Sequence, residues 1–375
     1  MTNARGIISY DYVEFYVGSA KSTAYWFVNA LGMEHTGYAG PETGVSDRVS
    51  YYLTQNNLKF VITSLTTPAN YEVGNFVRQH GDGVKRWSLL VEDVTKVFDD
   101  AVRNHAIPIT MPRRIENDAG YIEEAAIRLY DDAELVFSNY DHYRGVFKPG
   151  FEEPRTRINS TAVKPNLLCI DHIVGNVRVN EMDQWATYLN RALDFETFVD
   201  FGPGDISTRY SALLSKVVRS KDNLVKNPIN EPYEGLKVSQ IEEYINEYHG
   251  TGVQHIALLT DNIGTAIRSL RQNGVQFLEI PKTYYETLKL KNAELPESMK
   301  ITENLEEIEE LGILCDLESS GYLLQLFTHP IGDRPTFFFE IIQRRNGAEG
   351  FGQGNFQALF ESIEKEQARR GNLDR

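Results

Sequence analysis

The chain contains itself twice, and this internal repeat restricts its fold more than any other feature. The segment DYVEFYV, Asp11 to Val17, aligns with DHIVGNV, Asp171 to Val177, 160 residues later. Both read as short β-strands. Each leads into a stretch of helical spacing, AKSTAYWFVNALGME ending at Glu34 and EMDQWATYLNRALDFE ending at Glu196. A second pair is clearer. HGDGVKRWSLLVEDV, starting at His80, lies over HGTGVQHIALLTDNI, starting at His249, 169 residues on. Again a strand runs into a helix, VTKVFDDAVRNHAI in one copy and NIGTAIRSLRQNGV in the other. Shared turn chemistry between unrelated strands is the plain alternative, but the same strand and helix order across both pairs argues against it. A unit of roughly 150 residues, an ordinary domain size, is thus duplicated.

The runs RVSYYLT, KFVITSL, ELVFSNY and GYLLQLFT supply β-branched and aromatic strands. Each unit is expected to be α+β, a pair of βαβββ modules whose sheet forms an open, barrel-like wall around a cavity. Pro149, Pro154 and Pro165 make a regular element unfavourable between the copies. The expected division is an N-terminal domain without metal at 1–140, a linker at 141–168, a catalytic domain at 169–345, and a Gly-rich hinge with a C-terminal helix at 346–375. The stretch 292–310, dense in Glu, reads as a solvated helical face.

A duplicated fold with one active half should show its chemistry where the copies differ. Tyr12 stands where the second copy has His172, and Arg86 where it has His255. A single strand histidine is usually a packing or surface residue. Two on equivalent elements of one module point instead to a metal site. A third ligand should be a carboxylate inside a strand, which is costly to bury unpaired. Glu340, within TFFFEIIQR at 336–344, fits that description. Two imidazoles and one carboxylate form the donor set of non-haem Fe(II) oxygenases, with positions left open for substrate and O2. Zinc is the competing metal, although the helical H-E-x-x-H pattern is absent. The remaining histidines carry no paired signal and read as packing or surface residues.

Composition narrows the compartment and the partners. Cys169 and Cys315 are the only cysteines, which excludes a disulfide scaffold or a thiolate-rich zinc site and fits a reducing, cytoplasmic setting. The net charge of −15 argues against nucleic acid or an anionic membrane as partner. No apolar run approaches the roughly 20 residues of a spanning helix, and the N-terminus has no signal-peptide pattern. The sequon at Asn159 is then a chance match.

DHIVGNV at 171–177, GVQHIAL at 252–258, RPTFFFEIIQR at 334–344, NPINEP at 227–232 and GFGQGNF at 350–356 resemble the 4-hydroxyphenylpyruvate dioxygenase family of the vicinal oxygen chelate superfamily. Five motifs in order cover nearly the whole chain. The resemblance implies two domains of that superfamily's type with Fe(II) only in the second, held by His172, His255 and Glu340. It further implies polar pocket residues at Ser215, Asn230, Gln240, Gln254 and Gln325, and aromatic ones at Phe338, Phe351 and Phe356. Strand alternation would turn Gln254 away from its neighbour His255 unless the strand bends. The implied reaction converts 4-hydroxyphenylpyruvate and O2 to homogentisate and CO2 in tyrosine catabolism, by a homo-oligomer, dimer or tetramer. Hydroxymandelate synthase, with the same fold, ligands and substrate, is the alternative; Pro228 and Phe356 resemble the homogentisate-forming pattern. Gly350, Gly352 and Gly354 do not spell a nucleotide loop. The run that they open reads either as a lid over the metal pocket or as a packed terminal helix.

Overall fold

The computed structural model describes residues 5–202, 212–233 and 235–372. The first half carries β1 (Ile7–Tyr16), α1 (Ala20–Ala30), β2 (Glu34–Ala39), β3 (Arg48–Gln55), β4 (Leu58–Leu65), α2 (Tyr71–His80), β5 (Gly83–Val91), α3 (Val94–Arg103), β6 (Pro108–Asn117), β7 (Gly120–Leu129) and β8 (Ala133–Asn139). The second carries β9 (Leu167–Asn176), α4 (Met182–Leu193), β10 (Glu196–Phe201), β11 (Ala212–Arg219), β12 (Lys226–Tyr233), α5 (Gln240–Tyr248), β13 (Gly252–Thr260), α6 (Ile263–Gln272), α7 (Lys282–Glu294), α8 (Leu305–Leu311), β14 (Leu314–Leu317), β15 (Tyr322–Phe327), β16 (Phe338–Arg345) and α9 (Phe356–Arg370).

The two halves have one topology. The first sheet runs β2-β3-β4-β1-β5-β8-β7-β6, and the second repeats that order strand for strand as β10-β11-β12-β9-β13-β16-β15-β14. In each, two βαβββ modules meet at an antiparallel seam, β1 with β5 and β9 with β13. Each sheet curls into a half-barrel. The helix starts are duplicated too. Asp93 and Asn262, one repeat apart, cap α3 and α6 by accepting the N–H groups of Lys96 and Thr265. Asn70 and Ser239 do the same for α2 and α5.

One hydrophobic core spans both halves. Phe27 packs edge-on against Phe60 and against Phe339 of the second half, and Phe15 meets Phe337 at 5.0 Å. His80 is fully buried, stacked on Tyr248 at 4.2 Å with Nδ1 2.7 Å from that residue's carbonyl oxygen. It is a packing residue between the halves.

Two segments depart from the expectation. Residues 292–310 are not one helical face: α7 stops at Glu294, a single 3-10 turn spans Glu297–Met299, and Asn304 caps a separate α8. Pro296 has no N–H to continue a helix and disfavours α geometry at Leu295. The buried Asn292 side chain then accepts the Ile301 N–H and folds the segment back. The connection between the halves, whose last residues already belong to β9, is more than a tether. It lies in the cup of the first sheet, where Phe147 stacks on Tyr52 at 4.2 Å and Glu152 pairs with Tyr38. Lys148 donates to the Tyr12 hydroxyl and to Glu124 Oε2, both at 2.8 Å.

Candidate metal centre

His172 stands on β9, His255 on β13 and Glu340 on β16, three adjacent strands of the second sheet. Their convergence follows from the register. Ala257 lies opposite His172 on one side and Glu340 on the other, and His255 is two residues away on the same face. Glu340 Oε2 is 3.2 Å from His172 Nε2 and 3.4 Å from His255 Nε2. All three side chains are buried, and one ligand atom from each lies within 4.8 Å of the others. Bonds of about 2.1 Å to one ion put neighbouring ligand atoms about 3 Å apart, so the group has the right spacing. Glu340 Oε1 is buried without a hydrogen-bond partner, as expected of an atom waiting for a cation. Two imidazoles and a carboxylate, with no thiolate among them, suit ferrous iron. The residues fit the ion.

Both imidazoles are oriented by the residue preceding them. Asp171 Oδ1 lies 2.7 Å from His172 Nδ1, and Gln254 Oε1 2.9 Å from His255 Nδ1. An acceptor on Nδ1 keeps the proton there and turns a bare Nε2 to the centre. Gln254 and His255 can share a side because the pairing with β9 shifts between Val253 and His255. This bulge is the bend that alternation required. Asp171 is itself gripped at both oxygens by Arg344, at 2.8 and 2.7 Å, with Lys226 Nζ at 3.4 Å. Those cations outweigh burial and hold its carboxyl well below the usual range. Burial alone would raise Glu340, but His172 and His255 bring it down to about 2. Burial lowers His255, while Glu340 and Asp171 overcome burial at His172 and raise it.

A cavity opens on the cup side of the triad. Its wall includes Ser215 and Asn230, directly paired across β11 and β12, with Gln240, Gln254, Pro228 and Val217. Phe338 stacks on the His255 ring at 4.8 Å, and Phe351 meets His172 edge-on at 5.2 Å. Phe356, Leu359 and Phe360 of α9 close the remaining side. Gln325 is buried on β15 but lies outside this lining. It sits under Gly352, whose φ of 78° and lack of a Cβ allow the close approach to Gln325 Nε2.

In the first half the same register gives different chemistry. Ser88 pairs with Val136 as Ala257 pairs with Glu340, so Val136 occupies the carboxylate's place. Arg86 forms ion pairs with Glu14, Glu72 and Glu134. Lys148 fills the middle, between Tyr12 and Glu124. The three positions that hold the triad in the second half carry Tyr12, Arg86 and Val136 here, and the Lys148 ammonium sits against the Glu124 carboxylate.

Sequence reasoning missed Asp171, Arg344 and Lys226. A signal existed for the first, since Asp11 and Asp171 head the two aligned strands.

Comparison with known proteins agrees with this architecture. Residues 169–290 match the Glyoxalase/Bleomycin resistance protein/Dioxygenase superfamily. The chain is 43% identical over 370 residues to a 4-hydroxyphenylpyruvate dioxygenase of Yarrowia lipolytica, covering 97% of this chain and 93% of the relative. It is 42% identical over 377 residues to one from Xenopus tropicalis, covering 99% and 94%. Among solved structures, a triply substituted 4-hydroxymandelate synthase from Streptomyces coelicolor superposes with a TM-score of 0.83 at 26% identity, covering 96% of this chain and 99% of that one.

Proposed function

Because the chain belongs to the 4-hydroxyphenylpyruvate dioxygenase family, we propose that His172, His255 and Glu340 hold a single Fe(II) at which it carries out that family's reaction. The activity is the conversion of 4-hydroxyphenylpyruvate and O2 to homogentisate and CO2, by oxidative decarboxylation, ring hydroxylation and migration of the side chain. The observation that carries the ligand assignment is the buried triad itself, intact in the half whose cavity is lined with aromatic rings and amides.

Iron, when bound, supplies the redox chemistry that lets O2 react with an organic acid. The protein's residues do the rest. The three donors approach from the sheet side, so the cavity side stays open for the α-keto acid end of the substrate. Phe338 and Phe351, each packed on a ligand ring, flank the aryl group. Ser215, Asn230, Gln240 and Gln254 offer hydroxyl and amide groups to the phenol and the keto acid. Gln325, on the same face of β15 as Phe327 and with an Nε2 that has no hydrogen-bond partner, offers a further amide beside Gly352. Phe356 and Phe360 exclude water, which favours the lid reading of the C-terminal segment.

4-Hydroxymandelate synthase, the enzyme whose triply substituted form is the solved neighbour, is the weaker alternative, at 26% identity against 43%. Product identification decides: incubation with Fe(II), 4-hydroxyphenylpyruvate and O2 should yield homogentisate, and 4-hydroxymandelate would refute the assignment. We also read the chain as a metal-free domain, a linker, an iron domain and a lid, at 1–140, 141–168, 169–345 and 346–375. Lys148 and Val136 in the first cup support that division. Among the described residues no helix is long and apolar enough to cross a membrane. A cytoplasmic setting is supported by the two free thiols. A homo-oligomer, dimer or tetramer, is the expected assembly, and light scattering after gel filtration tests it.

A further inference from the structure

We propose that Arg344 is a positioning residue that ties the Gly-rich segment carrying Phe351 to the orientation of His172, so that closure over the cavity and order at the metal site are coupled. The proposal rests on His172 being a ligand, and the duplication supports it. Both halves keep a buried aspartate beside a lysine: Asp11 with Lys59 Nζ at 2.8 Å, and Asp171 with Lys226 Nζ at 3.4 Å. The β1–β4 and β9–β12 registers put the two lysines at one position. The pair therefore belongs to the inherited sheet and not to the chemistry.

The third arm differs. In the first half the aspartate accepts a hydrogen bond from the Tyr140 hydroxyl, at 2.8 Å. At the register-equivalent position the second half has Arg344. A hydroxyl has one proton to give, whereas a guanidinium has five in a rigid fork. Nε and Nη2 take the two Asp171 oxygens at 2.8 and 2.7 Å. Nη1 remains for the Gly350 carbonyl at 2.7 Å and the Ala348 carbonyl at 3.3 Å.

A continuous chain results, from the Gly350 carbonyl through Arg344 and Asp171 to His172 Nδ1. Phe351, the next residue, closes the circuit from the other side. Its ring meets His172 at 5.2 Å and lies 5.7 Å from the Arg344 guanidinium. The Arg344 and Asp171 side chains are only 14% and 4% exposed, so these bonds are little diluted by water. Glu318 accepts the Glu349 and Gly350 N–H groups at 3.1 and 3.0 Å. It anchors the same segment without touching Asp171.

Hydrogen exchange over residues 346–356 tests the coupling in the full chain, metal-free and with Fe(II) added anaerobically, with bound iron measured in parallel. In the wild type, Fe(II) should slow exchange there severalfold. Arg344→Tyr, which restores the first half's residue, should abolish that response and weaken Fe(II) affinity roughly 10-fold. Arg344→Lys, which can pair with Asp171 but lacks the fork, should retain a reduced response, and it decides alone if the tyrosine variant does not fold. Glu318→Ala should speed exchange in both states and keep the response to metal. Iron bound without slowing in the wild type, or with equal slowing in wild type and Arg344→Lys or Arg344→Tyr, would overturn the proposal. Failure of the wild type to retain iron would instead overturn the ligand assignment beneath it.

Discussion

Each histidine of the triad owes its orientation to its immediate neighbour, Asp171 for His172 and Gln254 for His255. The ligand set makes a direct prediction. Ala at position 172, 255 or 340 should abolish iron retention with the far-UV spectrum unchanged, whereas Tyr12→Ala and Arg86→Ala should bind iron normally by elemental analysis. The first cup makes another. Burial would raise the Glu124 carboxyl, but Lys148 and Arg113 hold it at about 2. A carboxyl depressed below its usual 4.5 stabilises the fold at neutral pH, and this contribution is lost as pH falls from about 4.5 towards about 2. Lys148→Met should therefore cost about 1–3 kcal/mol in denaturant unfolding at pH 7, and less at pH 3, without changing iron content. The three clustered side chains were legible because the copies disagree at two matched strand positions and Glu340 is a carboxylate in an apolar strand. Arg344 was not, because its bond to Asp171 spans 173 residues and has no signature in spacing.

At the scale of elements, alternating apolar strands and helical periodicity foretold the strand and helix order of both modules. The failures have local causes. The bulge at Gln254 depends on pairing with β9, which one strand's sequence does not encode. The break within 292–310 hangs on Pro296 and on the buried Asn292 amide. The prolines of the inter-copy segment excluded regular structure there but could not show that Phe147 and Lys148 fill the first cup. The C-terminal segment yields a pH prediction. Burial pushes the Asp316 carboxyl, beside the Gly354 N–H, up to about 6. A raised acid binds its proton more tightly when folded, so it favours folding below about pH 4, and the advantage disappears as pH climbs through about 6. Asp316→Asn should then be more stable than the wild type at pH 7.5, by about 1–2 kcal/mol after solvent screening, and equal to it at pH 3.5. Thermal unfolding at the two pH values checks both arms.

For the whole molecule, duplication explains both the sameness of the sheets and the asymmetry of their contents. One topology serves twice, and one cup holds an ammonium where the other presents two imidazoles and a carboxylate. The halves do not behave as beads on a string, since Phe15, Phe27 and Phe60 pack directly on Phe337 and Phe339. Heating should accordingly give a single calorimetric transition with equal calorimetric and van't Hoff enthalpies, and two resolved transitions would show independent domains. On the proposed assignment, His172, His255 and Glu340 would hold one Fe(II) per chain, and the chain loaded with it would convert 4-hydroxyphenylpyruvate to homogentisate. Titrating the metal-free chain with Fe(II), then adding substrate and O2, measures this most directly. Homogentisate formation should rise linearly to a break at one iron per chain, with CO2 released in equal amount. Homogentisate formed without iron, no break at one equivalent, or 4-hydroxymandelate as the product would contradict it.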